Sequence, residues 1–218
     1  PFLLCRTPPL GAADTAPRPR PHSTFAPSLT FPEDAFCALE DEAGDMSWVR
    51  KLHFSFYFLD KTMPTAVAQH IEDMRRANPD FEIRVWGPDE CRNLIRDKFP
   101  QYLSLYDSFP YPIQRSDFSR YAILYEHGGV YADLDYTFTH PLDDILAWID
   151  KMYPEQQAIV NEAPNRFLKR RLSNSLMLSR EPHCPFWTHA MSKATLGSGT
   201  SIHQKVMSSA GPQAVDRT

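Results

Sequence analysis

The sequence lacks the features that mark several common classes of protein. Its four cysteines are widely scattered, with no close pair of the zinc-ribbon type, and they do not settle the redox compartment. No apolar run reaches the roughly 20 residues of a membrane-spanning helix. Lys and Arg form no block beyond Lys169-Arg170-Arg171, and the net charge is −4, so nothing indicates a nucleic-acid-binding protein. The sequence has no Asn-x-Ser/Thr glycosylation site and no internal repeat.

Proline divides the chain into two parts. Seven of the first thirty residues are proline, a composition that favours extended, solvated conformations. We therefore predict that residues 1–45 are a Pro-rich linker or stalk, although a PxxP ligand is an alternative, and that residues 46–218 form one folded domain. Because the chain begins at Pro1 and not at Met, we expect it to be a fragment or a processed product, with any membrane association through a segment outside it.

The folded part alternates between strand and helix patterns. Residues 52–58 alternate in polarity as a strand does, Pro64 opens a helix, residues 81–86 form a second strand, and Gly87-Pro88 opens a second helix. Downstream patterns predict a helix over 142–148, strands over 158–161 and 172–179, and a helix that begins within 183–187. This order predicts an α/β fold with a mostly parallel central sheet flanked by helices.

Residues 114–138 are the most informative stretch of the chain. They predict a helix, a double-glycine stop at Gly128-Gly129, a short buried strand and then Asp133 and Asp135. The predicted buried face of the helix consists of residues at helical spacing, namely Phe118, Tyr121, Ala122 and Tyr125. The stretch therefore places two aspartates at the end of a buried strand.

Asp133 and Asp135 form a candidate metal site. In an extended chain, residues two apart face the same side, so we expect the two carboxylates to project together. Two carboxylates this close repel each other unless a cation lies between them, and Mg²⁺ and Mn²⁺ prefer carboxylate and phosphate oxygens. A solvated turn that contains two acids is the plainer alternative.

The stretch also resembles a known family signature, which here reads Arg115-Ser-Asp117-Phe-Ser-Arg120-Tyr-Ala-Ile-Leu-Tyr-Glu-His-Gly128-Gly129-Val-Tyr131-Ala-Asp133-Leu-Asp135. It is similar to the glycosyltransferases with a sugar-binding region and a DXD motif (family 32 type), which include Och1-like and inositolphosphoceramide mannosyltransferases. The resemblance implies a GT-A-type fold, Rossmann-like as in nucleotide-diphospho-sugar transferases. It also implies Mn²⁺ or Mg²⁺ as cofactor, held by Asp135 directly and by Asp133 directly or through water.

The same resemblance implies substrates and a location. It favours transfer of a hexose, mannose first, with GDP-mannose as the donor and UDP-sugars as possible donors. The acceptor would be a glycan or a sphingolipid, the anomeric configuration would be retained, and the full-length protein would be anchored in the Golgi or secretory-pathway membrane. Relatives continue to a His-containing segment near the C-terminus, so we expect the domain to be truncated at residue 218.

The resemblance assigns roles to residues around the motif. Asp117 would accept hydrogen bonds from sugar hydroxyls, and Arg120 would face a hydroxyl or the diphosphate and join Asp133 and Asp135 as a catalytic residue. A local ion pair between Asp117 and Arg120, three residues apart on a helix, is the alternative. Asn174 would line the donor or acceptor pocket, unless it belongs to a polar turn.

Tyr57 is a candidate for a different reason. It lies at the end of the first predicted strand, and ligands of parallel α/β sheets bind beyond the carboxyl ends of the strands. We therefore expect a nucleotide base near Tyr57, although aromatic residues also leave strands as ordinary core.

Two alternative functions follow from the same residues. Asp133-Leu-Asp135-Tyr-Thr137 fits the DxDxT motif of haloacid-dehalogenase-type phosphatases, in which the first Asp is a nucleophile. That motif usually lies on the first strand of its domain, whereas here two strand–helix units precede it. A non-catalytic sugar-nucleotide-binding protein is the other alternative.

Overall fold

A sheet with helices on both faces forms the centre of the protein. The computed structural model describes residues 4–6, 48–57, 63–163 and 171–213, so most of the predicted linker lies outside the described residues. The strands are β1 (Leu4–Arg6), β2 (Lys51–Ser55), β3 (Glu82–Trp86), β4 (Gly129–Ala132), β5 (Tyr136–Phe138), β6 (Ala158–Ala163) and β7 (Arg171–Ser179).

The main sheet has the order β3-β2-β4-β7-β6 within the part of the chain that the structure describes. Strand β2 pairs in parallel with both β3 and β4, whereas β7 is antiparallel to both β4 and β6. Four of its five strands therefore run in one direction. A separate antiparallel pair joins β1 to β5. The predicted α/β fold with a mostly parallel sheet is confirmed.

The helices form two layers, one on each face of the sheet. Helices α1 (Thr65–Ala77) and α5 (Leu142–Met152) cover the face to which Leu52, Phe54 and Val130 point. The other face, which carries Tyr131 and Met177, is covered by α2 (Pro88–Lys98), α3 (Leu103–Ser108), α4 (Pro112–His127) and α6 (Pro185–Ser192). A last helix, α7 (Ile202–Ser208), follows α6.

Helix α4 is the central element of its layer. Its residues 116–124 are all buried, because the sheet lies on one side and α2, α3 and α6 lie around it. Pro112 occupies its first turn, where no backbone N–H is needed, and Gly128 ends it with a φ of 63°. The predicted helix and its double-glycine stop are therefore confirmed.

Gly129 lets β4 begin directly after that stop. Its φ is +83°, and a Cβ built on it would lie 2.5 Å from the carbonyl oxygen of Lys51 in β2. Only glycine adopts this backbone and permits this approach without strain. The short buried strand β4 therefore pairs with β2 in the middle of the sheet.

Some predicted boundaries were wrong. The predicted strand 52–58 ends at Ser55, because Phe56 and Tyr57 leave the sheet after one further hydrogen bond from Phe56 N to Trp86 O (3.1 Å). Phe58 lies outside the described residues. The sequence also did not predict α3, α7 or β5.

Candidate active site

The carboxyl ends of β2, β3 and β4 meet at one edge of the sheet, where helix α4 begins. The hydroxyl of Ser55, at the end of β2, lies 2.7 Å from the hydroxyls of both Ser116 in α4 and Tyr131 in β4. These bonds fix the first half of α4 against the strand ends. This is the edge at which parallel α/β sheets bind their ligands.

The DXD motif lies on a turn that follows β4. The amide of Asp133 donates to Ser175 O (2.8 Å), and the amide of Tyr136 donates to Asp133 O (3.0 Å), which closes a turn with Leu134 and Asp135 at its centre. The expectation that Asp133 and Asp135 share one side of an extended chain was therefore wrong. The reason is that the chain reverses into β5 immediately after β4.

Arg120 joins helix α4 to the DXD turn. Its guanidinium lies 2.7 Å from Asp117 Oδ1 and 3.2 Å from Asp133 Oδ1, and it donates to Asn174 O (2.5 Å). The side-chain amide of Asn174 in turn donates to Asp117 Oδ1 (3.2 Å). Asp117, Arg120 and Asn174 are buried, whereas Asp133 is partly exposed. The structure thus brings together four of the predicted site residues.

Burial and charge shape the ionisation of this cluster. Burial raises the pKa of the Asp117 carboxyl, against the opposing effects of Arg120 and the Asn174 amide. Burial opposes the charge of Arg120, but Asp133, Tyr131 and Asp117 together hold its pKa above the usual value, so the guanidinium stays charged. Its buried Nε has no hydrogen-bond partner among the described residues. The cluster therefore contains a permanently charged guanidinium whose Nε–H group can still donate a hydrogen bond.

Tyr57 lies within electrostatic reach of the same cluster. Burial raises the pKa of its phenol, and the carboxylates of Asp133, Asp117 and, more weakly, Asp135 raise it further. With Phe56 it lines a cavity of about 330 Å³, within the range of small-molecule sites. Tyr57 thus lines the cavity and lies within electrostatic reach of the aspartates; that a nucleotide base binds near it stays a prediction.

The cavity is built from the starts of two helices. Pro88 and Asp89 in the first turn of α2, and Pro112 and Ser116 at the start of α4, line its wall. Two further lining residues, Arg92 and Arg115, bind helix α3 and the residue after it. The guanidinium of Arg92 donates two hydrogen bonds to the Asp107 carboxylate, of 2.8 and 2.7 Å. The guanidinium of Arg115 donates to the backbone carbonyls of Tyr106, Asp107 and Phe109. Sequence reasoning missed this wall. The only signal was proline at each helix start, beside a strand end.

A bulge in β7 gives Asn174 its position. Val160 of β6 faces Met177, but the next residue, Asn161, faces Ser173, so residues 174–176 of β7 have no partner of their own in β6. A bulge of this kind changes which face the side chains occupy. Asn174 therefore reaches Asp117 on the α4 side, whereas the hydroxyl of Ser175 bonds Tyr136 on the other side (2.7 Å).

The DXD turn suits a divalent cation that a substrate helps to bind. Among the residues described, no group of three or more His, Cys, Asp and Glu is placed to share a metal ion. Asp133 and Asp135 offer carboxylate oxygens, the ligand type that Mg²⁺ and Mn²⁺ prefer. Mg²⁺ usually takes one or two carboxylates and completes its shell with phosphate oxygens and water. The donor set present here fits that pattern.

Comparisons with known proteins agree on the family. Residues 64–156, which contain α1 to the end of α5, match the model of the "Glycosyltransferase sugar-binding region containing DXD motif". Inositol phosphoceramide mannosyltransferase 3 of Schizosaccharomyces pombe is 41% identical over 80 residues, covering 35% of this chain and 22% of that protein. Mannosyl phosphorylinositol ceramide synthase SUR1 of Saccharomyces cerevisiae is 37% identical over 71 residues, covering 33% and 19%.

A solved structure shares the fold. The glycosyltransferase PaToxG superposes with a TM-score of 0.51 at 14% identity, covering 77% of this chain and 67% of that one. The chain matches only about a fifth of the length of the two yeast proteins. The segment that matches the family model contains Asp133 and Asp135. The match therefore favours a glycosyltransferase over a haloacid-dehalogenase-type phosphatase as the interpretation of this motif. Residues 64–156 of this chain are therefore similar to the glycosyltransferase sugar-binding regions that contain a DXD motif.

Proposed function

We propose that this chain carries the donor-binding site of a metal-dependent, GT-A-type glycosyltransferase. The enzyme would move a hexose, mannose first, from a nucleotide-sugar to a glycan or glycolipid acceptor with retention of configuration. The observation that carries the proposal is the contact of Arg120 with both Asp117 and Asp133, beside a cavity lined by Tyr57.

The nucleotide base occupies the cavity in this proposal. Phe56 and Tyr57 offer aromatic surface on which a base can stack, and Pro112 and Ser116 form another part of the cavity wall. The cavity lies at the carboxyl ends of β2 and β3, and the DXD turn follows β4. A nucleotide that lies along this edge directs its diphosphate towards the turn.

The DXD turn would hold the metal and the diphosphate. Asp135 would be the direct metal ligand, and Asp133, whose Oδ1 is engaged by Arg120, would contribute its other oxygen or hold the ion through a bridging water. When bound, the metal neutralises the charge that develops on the departing nucleoside diphosphate. Arg120 is held in place by Asp117 and by Asn174 O, so it adds a preorganised positive charge at the same point.

The donor sugar lies against the buried polar cluster. Asp117 and Asn174 are already oriented by their mutual hydrogen bond, so they can accept from and donate to sugar hydroxyls with little reorganisation. Asp117 is engaged by Arg120 and is not free to act as a covalent nucleophile. We therefore propose front-face transfer, in which the leaving phosphate assists deprotonation of the acceptor.

The names of the relatives support the choice of sugar and acceptor. Several are called inositol phosphoceramide mannosyltransferases, and one is called an initiation-specific alpha-1,6-mannosyltransferase. We propose GDP-mannose as the first donor to test, UDP-sugars as the second, and Mn²⁺ or Mg²⁺ as the ion. A location in the Golgi or secretory-pathway lumen, with a membrane anchor, completes the proposal; no helix among the described residues is long and apolar enough to cross a membrane.

The test is thermal unfolding with GDP- and UDP-sugars, with and without Mn²⁺. A ligand of the native state raises the unfolding midpoint by mass action. We expect a Mn²⁺-dependent rise with one nucleotide family, and we expect Asp135→Asn to remove it without changing the midpoint of the free protein. Asp80→Asn, at an exposed carboxylate in the turn before β3, is the matched control. No rise with any nucleotide, or an equal rise in Asp135→Asn, would contradict the proposal.

A further inference from the structure

A buried tyrosine links helix α4 to the segment that follows α7. The hydroxyl of Tyr121 donates to Ala210 O (2.7 Å), and Gly211 O lies 3.3 Å from the same hydroxyl. Tyr121 and Ala210 are both fully buried, and Tyr121 lies four residues after Asp117, on the same face of α4. A buried hydroxyl is costly unless it is bonded, whereas a phenylalanine would fill the same space. The packing of the core thus accounts for the ring of Tyr121 but not for its hydroxyl.

The direction of the hydrogen bonds at this hydroxyl is fixed by the backbone. A carbonyl oxygen only accepts, so the single proton of the Tyr121 hydroxyl is given to Ala210 O, and its oxygen is left to accept. The side-chain nitrogen of Asn174 lies 3.3 Å from that oxygen. Because an amide nitrogen donates and an amide oxygen does not, Tyr121 selects one of the two orientations that the Asn174 amide can adopt.

Two further acceptors surround the same nitrogen. Asp117 Oδ1 lies 3.2 Å from Asn174 Nδ2, and Ala210 O lies 3.5 Å from it. Asp117 alone does not fix the amide, because burial raises the pKa of its carboxyl and a protonated carboxyl can donate to the oxygen of a reversed amide. The Tyr121 proton is committed to Ala210 O, so a reversed amide would place its oxygen against two other acceptors. Such a contact leaves buried polar atoms without a partner, which disfavours the reversed orientation.

The oxygen of the Asn174 side chain is open. It has no hydrogen-bond partner among the described residues, yet it is not one of the fully enclosed side-chain atoms that lack a partner. The backbone of Asn174 is held as well, because Arg120 donates to its carbonyl oxygen (2.5 Å). The site thus contains an accessible acceptor of fixed direction beside Asp117 and Arg120. Sugar hydroxyls are donors that such an acceptor binds.

We propose that Tyr121 is a positioning residue for the donor sugar: its bond to Ala210 O turns the amide oxygen of Asn174 towards the ligand, where it accepts a hydrogen bond from a sugar hydroxyl. This rests on the proposed function in one respect, because it takes the ligand to be the sugar of a nucleotide-sugar. It goes further by assigning a role to a side chain that touches neither the sugar nor the metal, and to the backbone carbonyl of Ala210. Tyr121 therefore acts on binding of the sugar and not on binding of the nucleotide.

The experiment is titration calorimetry with GDP-mannose and with GDP, each with Mn²⁺; UDP-glucose and UDP replace them if only uridine nucleotides bind. We expect Tyr121→Phe to bind the nucleotide-sugar about 5- to 10-fold more weakly, as for the loss of one hydrogen bond, and to bind the nucleotide within about twofold of the unchanged protein. Asn174→Ala should lose at least as much, and adding Tyr121→Phe to it should cause no further loss, because Tyr121 acts through Asn174. Ser179→Ala removes a buried, bonded hydroxyl from the far end of β7 and should leave both affinities unchanged.

A measurement without ligand tests the orientation itself. The side-chain N–H groups of Asn174 give an NMR signal that is absent in Asn174→Ala, and we expect their hydrogens to exchange with water about tenfold faster in Tyr121→Phe than in the unchanged protein. Equally slow exchange in the two proteins would overturn the proposal, as would equal loss of affinity for nucleotide and nucleotide-sugar, unchanged affinity for both, or a further loss in the double variant. Failure of the unchanged protein to bind any nucleotide with Mn²⁺ would contradict the proposed function and with it the role in sugar binding, whereas the exchange rates would still show whether Tyr121 orients Asn174.

Discussion

The guanidinium of Arg120 lies 3.2 Å from the carboxylate of Asp133, although a helix end, a double glycine and a strand separate the two residues. Arg120 is also held by Asp117, by Asn174 O and by the ring of Tyr131, whose centroid lies 5.0 Å from Cζ of Arg120. The DXD turn is thus anchored to the buried helix through one side chain.

Arg120→Lys tests this anchor. A lysine keeps the charge but cannot reach two carboxylates and a carbonyl at once, because it lacks the planar fork. Breaking a buried pair costs about 3–5 kcal/mol, and since lysine retains one contact we expect a loss of roughly 2–3 kcal/mol in the free energy of unfolding. Transfer should fall about 100-fold, as for loss of one preorganised group at a developing charge. Chemical denaturation and initial-rate assays measure the two effects.

The control is Arg50→Lys, which changes an exposed pair with Asp143. Exposed pairs contribute about 0–1 kcal/mol, so this variant should unfold and react nearly as the unchanged protein does. If Arg120→Lys behaved like Arg50→Lys in both assays, Arg120 would not be the anchor of the DXD turn.

Tyr57→Ala tests the cavity as the base site. Loss of a stacking ring weakens binding of a base by about 1–3 kcal/mol, or roughly 5- to 150-fold in Kd. Because Tyr57 is half-exposed, the unfolding midpoint of the free protein should change little. Titration calorimetry with the nucleoside diphosphate and Mn²⁺ measures the affinity. Tyr57→Phe keeps the ring and should bind normally; equal affinity in all three proteins would place the base elsewhere.

Gly129→Ala tests the close approach of β4 to β2. The added methyl would lie 2.5 Å from Lys51 O, and the positive φ would strain the backbone by about 1–3 kcal/mol besides. We expect a loss of more than about 3 kcal/mol in the free energy of unfolding. Gly87→Ala is the matched control, because its φ is −81° and its nearest contact is 3.4 Å, so it should cost less than about 1 kcal/mol. Similar losses in both variants would refute this account.

Local patterns were sufficient to predict most of the elements that form the site. Helix α4, its glycine stop, β4 and the aspartates after it follow from periodicity and from the backbone freedom of glycine, which involve neighbours in sequence. The direction of β7 does not follow in this way, because strand pairing depends on residues far apart in the chain. The sequence predicted β7 as a strand but gave no sign that it runs against β4.

The contacts of the site depend on the same distant pairings. Asn174 reaches Asp117 only because β7 bulges where β4 ends, and the bulge is visible only in the register with β6. The sequence indicated the pair of Asp117 and Arg120, which are three residues apart on one helix. The contact of Arg120 with Asp133 requires the turn after β4, where an extended chain was expected.

His53 makes the stability of the fold depend on pH. Its Nδ1 accepts from the Trp86 indole N–H (3.3 Å), and its Nε2–H donates to Gly128 O (3.1 Å), so the buried ring is neutral with the proton on Nε2. Burial, with a smaller effect of the nearby His127, lowers the pKa of His53 from 6.5 to about 3. The unfolded chain therefore binds a proton below pH 6.5 that the folded protein does not bind.

The stability from this ring is fully present above pH 6.5 and is lost as the pH falls towards 3. By pH 5 the loss is about 2 kcal/mol, because each pH unit below 6.5 costs about 1.4 kcal/mol. His53→Gln keeps an acceptor and a donor but has no proton to take up, so its unfolding free energy should depend less steeply on pH between 6.5 and 5. Burial also lowers the pKa of His127, so the unfolding free energy of His53→Gln should still depend on pH, with a smaller slope. The variant His127→Gln should remove only this smaller contribution to the slope. Urea unfolding at several pH values measures the slopes; an unchanged slope in His53→Gln would mean that other groups cause the loss in acid.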